Sequence, residues 1–227
     1  MRNKKINYFI IIILIPLSIA LGVILFKDRK YNLISIIIAF LSCLPIFFSF
    51  EKGKTSTRKM TILSVMVAIS VAGRFVFAAI PGFKPVTAIV VITAIYFGSE
   101  AGFLTGSLSA IISNIYFGQG PWTPFQMFSW GMLGLIAGLP FMRKLLLKNK
   151  IILAIYGVFA GVIYSLMMDV WTVLAMDGIF NARRYIAAVT TSLPFMAIYA
   201  VSNVVFLMLA IKPFGEKLER IKIKYGI

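Results

Sequence analysis

The chain has 227 residues, of which 60% are hydrophobic and 13% are charged, whereas about a quarter of the residues in a soluble domain are charged. Its net charge of +16 comes from basic residues that lie between long apolar runs, which indicates membrane topology and anionic headgroups rather than nucleic acid. The lack of histidine and the single cysteine, Cys43, exclude disulfides and thiolate metal sites and argue against an enzyme. We expect an all-α polytopic membrane protein without a metal or prosthetic group.

Apolar runs predict the membrane helices in chain order. The predicted segments are 7–26, 31–50, 60–80, 86–99, 101–117, 125–142, 151–176 and 185–211. The first has a basic start but no small-residue cleavage site, so it predicts a retained anchor rather than a signal peptide. Segments 86–99 and 101–117 are shorter than the roughly 20 residues of a usual span. We expect spans that neighbouring helices shelter, with a re-entrant pair as the alternative.

A polar, basic stretch at residues 51–59 divides the chain. It predicts a boundary between a two-helix membrane extension, residues 1–50, and a six-helix core with a basic cytoplasmic tail, residues 60–227. Basic residues concentrate in the connections that share a side with the N-terminus. By the positive-inside rule, we expect a plasma-membrane protein with both termini in the cytoplasm.

The three predicted outer connections of the core, 80–86, 117–124 and 176–184, combine glycine or proline with aromatic and polar side chains. Such turn residues give a loop a defined shape, and amides at membrane depth need the partners that a polar cavity supplies. Gln126 and Trp130 share a helix face at i, i+4. For Trp122, the alternative is the interfacial aromatic belt. The candidate binding residues near these connections are Phe83, Lys84, Asn114, Gln119, Trp122, Gln126, Trp130, Trp171, Asp177 and Asn181.

Two charges, Arg74 and Asp169, each lie six residues before the end of an apolar run, which places them about 9 Å below the predicted outer boundary. An intramembrane charge is costly and usually faces a bundle interior or a water-filled cavity. Two interpretations are open, and they are compatible: Arg74 and Asp169 form a structural ion pair, or they line the floor of a ligand pocket. The whole set predicts a pocket that captures an external solute. Asn203 is expected to form an interhelical hydrogen bond.

Several helices carry faces of small residues, which let helices approach closely in lipid. Most of these faces must pack the bundle, and one is available for a partner, although spacing does not say which. The chain has neither a phosphate-binding loop for ATP nor a hint of inverted repeats, so its energy source must come from another subunit. The faces are Ser64, Ala68 and Ala72; Gly98, Gly102 and Gly106; Gly134 and Gly138; and Gly157 and Gly161.

A six-helix core with cytoplasmic termini, a ligand mouth at the outer loops and no nucleotide site resembles the substrate-specific (S) components of energy-coupling factor (ECF) vitamin transporters, over about residues 56–215. In that family an alanine-x-x-x-alanine face on the first core helix docks on a transmembrane coupling subunit, and "AISVA" places Ala68 and Ala72 there. The resemblance implies capture of a vitamin at the outer face, toppling on the coupling subunit and ATP hydrolysis by two partner ATPases.

The strings "PGFKPVTAIVVITAIYFG" and "GQGPWTPFQMFSWGMLG" are most similar to S components for cobalamin and its precursors. The two-helix extension departs from the six-helix plan and puts a simple transfer of the docking geometry in doubt. The main alternative is a membrane scaffold whose outer loops bind another protein, which predicts no cavity lined by Arg74, Gln126 and Asp169. A stand-alone facilitator is weakened by the missing repeat, and an intramembrane enzyme is the least favoured function.

Overall fold

The computed structural model describes residues 2–26, 36–38, 40–41, 44 and 57–226. Most of the predicted second span and residues 51–56 of the predicted linker lie outside these residues. The described elements are helical, which confirms the all-α prediction. They are α1 (Arg2–Phe9), which continues through a π-helical turn (Ile10–Leu14) into α2 (Ile15–Phe26), then α3 (Thr57–Val76), α4 (Val86–Phe97), α5 (Ser99–Phe117), α6 (Trp122–Ala137), α7 (Pro140–Lys148), α8 (Lys150–Asp177) and α9 (Ala182–Tyr225).

Four described helices are long and apolar enough to cross a membrane: Lys5–Ile24, α3, α8 and α9. The predicted segment 125–142 is not one straight helix, because α6 and α7 meet at a bend of 76°. Leu139 is extended, and Pro140 stands in the first turn of α7, where its missing N–H costs little. The predicted basic tail is also not a loose extension, since α9 continues to Tyr225.

The short helix α4 forms the centre of the core. All of its residues, from Val86 to Phe97, are buried, and it packs against α3, α5, α6 and α9. Its residues are mostly valine, isoleucine and alanine with two threonines, so it is largely apolar on every face, as a surrounded helix requires. The expectation that neighbouring helices shelter this short segment is therefore confirmed.

Glycine lets two pairs of core helices approach closely. A Cβ on Gly106 would lie 2.5 Å from the carbonyl carbon of Trp130, so α5 and α6 touch along their backbones. A Cβ on Gly161 would lie 2.5 Å from the backbone nitrogen of Ala200, where α8 crosses α9. These small-residue faces serve packing within the bundle, as small residues do in membrane helices.

The small-residue face of α3, unlike the glycine faces, is not packed within the bundle. Ser64, Ala68 and Ala72 are all exposed, and their spacing places them along one stripe of the helix. Spacing alone did not distinguish this stripe from the glycine faces. The packing does, because it leaves the α3 stripe uncovered.

The N-terminal helix α1–α2 lies on another side of the core. Its buried residues Asn7, Ile11, Ile15 and Ile19 recur every four positions and define one face. At one end the Asn7 amide donates to Glu100 Oε1 at 2.6 Å, and α2 packs against α6. The described part of the extension thus adds to the bundle while the α3 stripe stays exposed.

Candidate ligand-binding cavity

A cavity of about 160 Å³ lies among α3, α4, α6, α8 and α9, next to the connection between α3 and α4. Four of the predicted binding residues line it, namely Arg74, Lys84, Gln126 and Trp130. The full lining is Arg74, Gly82, Lys84, Val86, Thr87, Gln126, Trp130, Tyr164, Tyr199 and Asn203. A concave, largely aromatic site with a few fixed polar groups is the usual form of a small-molecule site.

The connection between α3 and α4 is held in place by Lys84. Its ammonium group donates to the carbonyls of Phe77, Ala78 and Ile80, which belong to the turn that follows α3. Its backbone N–H donates to Ser202 Oγ on α9 at 2.9 Å, which fixes the loop to the cavity wall. Burial, together with the charge of Arg74, lowers the pKa of Lys84.

A chain of hydrogen bonds joins α3, α5, α6 and α8 beside the cavity. Arg74 Nη1 donates to Asn114 Oδ1 at 2.7 Å, Asn114 Nδ2 donates to Gln126 Oε1 at 2.8 Å, and Gln126 Nε2 donates to the Tyr164 hydroxyl oxygen at 3.1 Å. A guanidinium group only donates, so it dictates which end of each amide faces the next residue. Tyr164 therefore accepts from Gln126 and keeps its own proton for another acceptor.

Arg74 stands against aromatic rings rather than a carboxylate. Its Cζ lies 4.8 Å from the ring centroid of Phe117 and 5.4 Å from that of Trp130. Both of its side-chain bonds, to Asn114 and Ser113, use the single nitrogen Nη1. Within the described residues, the other guanidinium nitrogens make no hydrogen bond, so their donors remain available to a ligand.

The ion pair between Arg74 and Asp169, one of the two interpretations left open, is not formed. Asp169 accepts a hydrogen bond from Ser192 on α9 at 2.7 Å, and it does not line the cavity. The two charges project from helices in different directions, which equal depths below a boundary do not reveal. Arg74 alone of the two faces the cavity.

Aromatic rings form one wall of the cavity. The Trp130 and Tyr164 rings are stacked, with centroids 5.2 Å apart and planes 11° apart. Tyr199 meets Tyr164 edge-on at 5.2 Å. Such pairs add about 0.5–1.5 kcal/mol beyond the burial of their area. The nearly parallel rings of Trp130 and Tyr164 form this wall, and the Tyr164 hydroxyl lies at its edge.

The remaining predicted residues lie outside the lining. Trp122 and Trp171 form an edge-on pair, with ring centroids 5.7 Å apart. Asp177 forms an ion pair with Arg184 at 2.7 Å, and Asn181 caps α9 by accepting from the backbone N–H groups of Arg183 and Arg184. Pro121 of one connection and Gly178 and Ile179 of the other line a common opening, which shares no lining residue with the cavity.

Phe83, Gln119 and Asn114 also have neighbours of their own. Phe83 packs against Phe206, with ring centroids 5.0 Å apart, and Gln119 donates to the Ile111 carbonyl at 2.9 Å. Asn114 is fully buried and does not line the cavity. It donates a hydrogen bond to Gln126, which does. Its predicted need for partners at membrane depth is met by the hydrogen-bond chain.

The sequence did not predict Tyr164, Tyr199 and Thr87 as lining residues, because each lies inside an apolar run, where such side chains usually pack in the core. Asn203 was expected to bond between helices, and it does donate to the Gly157 carbonyl at 3.3 Å. It also lines the cavity. For Tyr164, Tyr199 and Asn203 the available signal was a polar group in the middle of a span, where such groups are often functional; Thr87, at the start of α4, gave no such signal.

Residues 54–218 match the family described as the ECF-type riboflavin transporter, S component. The chain belongs to this family. No curated protein and no solved structure gives a match. The match begins after the described part of α1–α2 and ends at residue 218, so it covers α3 to α8, α9 as far as Leu218, and every residue that lines the cavity.

Family membership corrects one prediction and confirms a broader one. The cobalamin resemblance is not supported, because the matched family is that of riboflavin S components. This chain is a substrate-binding subunit of a vitamin transporter in the plasma membrane, which works with an ECF module and is not itself an enzyme. The scaffold alternative is not supported. It predicted no cavity lined by Arg74, Gln126 and Asp169, and the structure has a cavity lined by the first two of these residues.

Proposed function

We propose that this S component binds riboflavin in the cavity beside Trp130 and passes it to an ECF module for import. The family's description names riboflavin. The observation that carries the proposal within this chain is the hydrogen-bond chain from Arg74 to Tyr164, which ends at a flat aromatic wall. Together these supply a stacking surface and oriented donors.

The isoalloxazine ring of riboflavin suits such a wall. It is planar and carries two carbonyl oxygens and ring nitrogens that accept hydrogen bonds along one side. The free donors of Arg74 and the hydroxyl of Tyr164 provide complementary groups, and the Asn203 amide lies in the same lining. Fixed donors in a desolvated site discriminate strongly against ligands that lack the matching acceptors.

The size of the cavity bears on how the vitamin is held. At about 160 Å³, it is smaller than the roughly 300–1,000 Å³ of pockets that enclose a drug-sized ligand. We therefore expect the cavity to hold the polar edge of the flavin ring and to widen on binding. The connection 77–85 borders the cavity through Gly82 and Lys84, so widening on that side would require release of the hydrogen bonds that Lys84 makes.

The orientation follows from the distribution of charge. Basic residues near the start of α3, in α7 and at the end of α9 lie at one end of the bundle, and the positive-inside rule assigns this end to the cytoplasm. The connection 77–85 and the adjoining cavity then lie toward the outer end. The two-helix extension, residues 1–50, would be an addition to the six-helix core.

The exposed stripe of α3 is the proposed docking face. Ala68 and Ala72 are uncovered, and small side chains permit close approach of a partner helix in lipid. Docking on the coupling subunit, toppling and ATP hydrolysis by two partner ATPases would then move riboflavin inward. The described part of the extension packs against α6 instead, so the docking geometry of a six-helix protein remains available.

Uptake of labelled riboflavin tests this function directly. The full chain is expressed with an ECF coupling subunit and two ATPases in a host that cannot make or import riboflavin. Uptake should depend on ATP and on this chain, and Ala68→Trp with Ala72→Trp should abolish uptake while riboflavin binding to the purified protein persists. The control Ala197→Trp, on an exposed position of α9, should transport normally. Equal loss in this control, or no uptake by the unaltered chain, would contradict the proposal.

A further inference from the structure

The short helix α7 lies across one end of the bundle. It meets α6 at 76° and packs against α4 and α8, with Leu146 buried on the side of the core. Arg143 Nε donates to the Ile95 carbonyl at 2.5 Å, which ties α7 to the last turn of α4. These contacts hold one face of α7 against the core, so the opposite face is presented outward.

The outward face of α7 carries an aromatic ring and two lysines. Phe141, Lys144 and Lys148 are spaced i, i+3 and i+7, which places them on one face of the helix, and all three are exposed. Lys150, at the start of α8, is exposed as well. Exposed aromatic and basic side chains on one short helix are typical of a helix that lies at a membrane surface.

No carboxylate offsets the charge of these lysines. Residues 101–168 contain neither aspartate nor glutamate. In the described part of the chain, the ammonium groups of Lys144, Lys148 and Lys150 form no ion pair. Lys144 and Lys148 also stand at i, i+4, where like charges destabilise a helix. An anion from outside the chain would therefore stabilise this segment.

The charged face borders the part of α8 that faces lipid. Ile151 and Ile155 directly follow Lys150, stand four positions apart on one face, and are 70% and 61% exposed. Helix α8 is long and apolar enough to span a membrane, so exposed isoleucines on it contact the hydrocarbon of the bilayer. The three lysines then lie at the level where hydrocarbon gives way to headgroups.

We propose that Lys144, Lys148 and Lys150 form a binding site for the headgroup of an anionic phospholipid, whose acyl chains lie against Ile151 and Ile155. Basic residues clustered directly beside a membrane helix attract anionic lipids, and here the charge is both exposed and uncompensated. The site is separate from riboflavin binding, because none of these residues lines the cavity. Through the fixed position of α7, the bound lipid holds this end of the bundle at the membrane surface.

Native mass spectrometry of the full chain tests the proposal. The protein in mild detergent is offered equal amounts of phosphatidylglycerol and phosphatidylcholine. The unaltered chain should retain phosphatidylglycerol preferentially. Lys144→Gln combined with Lys148→Gln and Lys150→Gln should lower this preference by about tenfold or more, since each basic residue near an anionic lipid surface adds to the attraction. All three side chains are exposed, so the substitutions remove no core packing.

The matched control removes the same charge from the tail of α9. Lys217→Gln, Arg220→Gln and Lys224→Gln change exposed positions on a segment where Glu216 and Glu219 already supply carboxylates. This control should keep the preference for phosphatidylglycerol, as should a variant with arginine in place of the three lysines of the site. The unaltered chain should lose its preference in 1 M salt, where the Debye length falls to about 3 Å.

Three results would overturn the proposal. The unaltered chain could retain the two phospholipids equally, or its preference could survive both the glutamine changes at the site and 1 M salt. The tail control could also lose the preference as fully as the site variant does, which would show a general effect of net charge.

Discussion

Tyr164→Phe isolates the hydroxyl at the end of the hydrogen-bond chain. The substitution keeps the ring that stacks on Trp130 at 5.2 Å and removes only the oxygen that accepts from Gln126. In the proposed binding mode, the same hydroxyl donates to riboflavin. One neutral hydrogen bond is worth about 0.5–1.5 kcal/mol net, so the Kd for riboflavin should rise by about 2- to 13-fold.

The variant should also lose stability. Without the tyrosine oxygen, the Gln126 Nε2 group loses its acceptor, and an unsatisfied buried donor costs about 1–3 kcal/mol. The free and the bound protein both carry this unsatisfied donor, so its cost largely cancels in the binding free energy. It does lower the thermal midpoint of unfolding. Flavin fluorescence titration and thermal unfolding measure the two effects separately.

Tyr156→Phe is the matched control. Tyr156 lies on the same helix, is buried and donates to the Leu133 carbonyl at 2.5 Å, but it does not line the cavity. This variant should lose stability and keep its affinity for riboflavin. The reasoning is refuted if Tyr164→Phe binds as tightly as the unaltered chain, or if both variants weaken binding equally.

Three further predictions separate ligand contacts from structural ones. Arg74→Met should weaken riboflavin binding by about 10- to 150-fold, the equivalent of a charged hydrogen bond worth about 1.5–3 kcal/mol. The control Arg183→Met should leave the Kd for riboflavin unchanged. If both variants bind riboflavin with the same Kd, Arg74 is not a ligand contact. Asn181→Ala should cost about 1 kcal/mol of stability as a lost N-cap and leave Kd unaltered, and a large rise in Kd would restore Asn181 as a ligand residue. Gly106→Ala should lower the thermal midpoint by overpacking worth about 1–3 kcal/mol, and unchanged unfolding would contradict the close α5–α6 contact.

Much of the fold was predictable from the apolar runs, because a membrane helix must satisfy its backbone within one segment. The burial of α4 followed from its largely apolar sequence. The break after α6 was harder to predict, since hydrophobicity continues across Gly138 and Pro140 while the backbone turns. The end of α3 at Val76 was missed for the same reason, as residues 77–80 are apolar but precede the turn at Pro81 and Gly82.

The site was predictable only in part. Arg74, Gln126 and Trp130 stand out as charged, amide and indole groups near the ends of spans, and they do line the cavity. Asp177 has the same signature but lines a different opening, and Trp171 packs against Trp122. Which way a side chain points depends on the rotation of its helix in the bundle, and the sequence of one chain does not contain that information. Tyr164 and Tyr199 were missed because tyrosine within an apolar run looks like core packing.

Titration of the purified full chain with riboflavin tests the central claim most directly. Stacking against Trp130 should quench flavin fluorescence. Binding in the cavity predicts saturable quenching at one flavin per chain, weakened in Arg74→Met and Tyr164→Phe but not in Tyr156→Phe. A folded protein that leaves riboflavin fluorescence unchanged would contradict riboflavin binding at this site. So would one that binds cobalamin in its place.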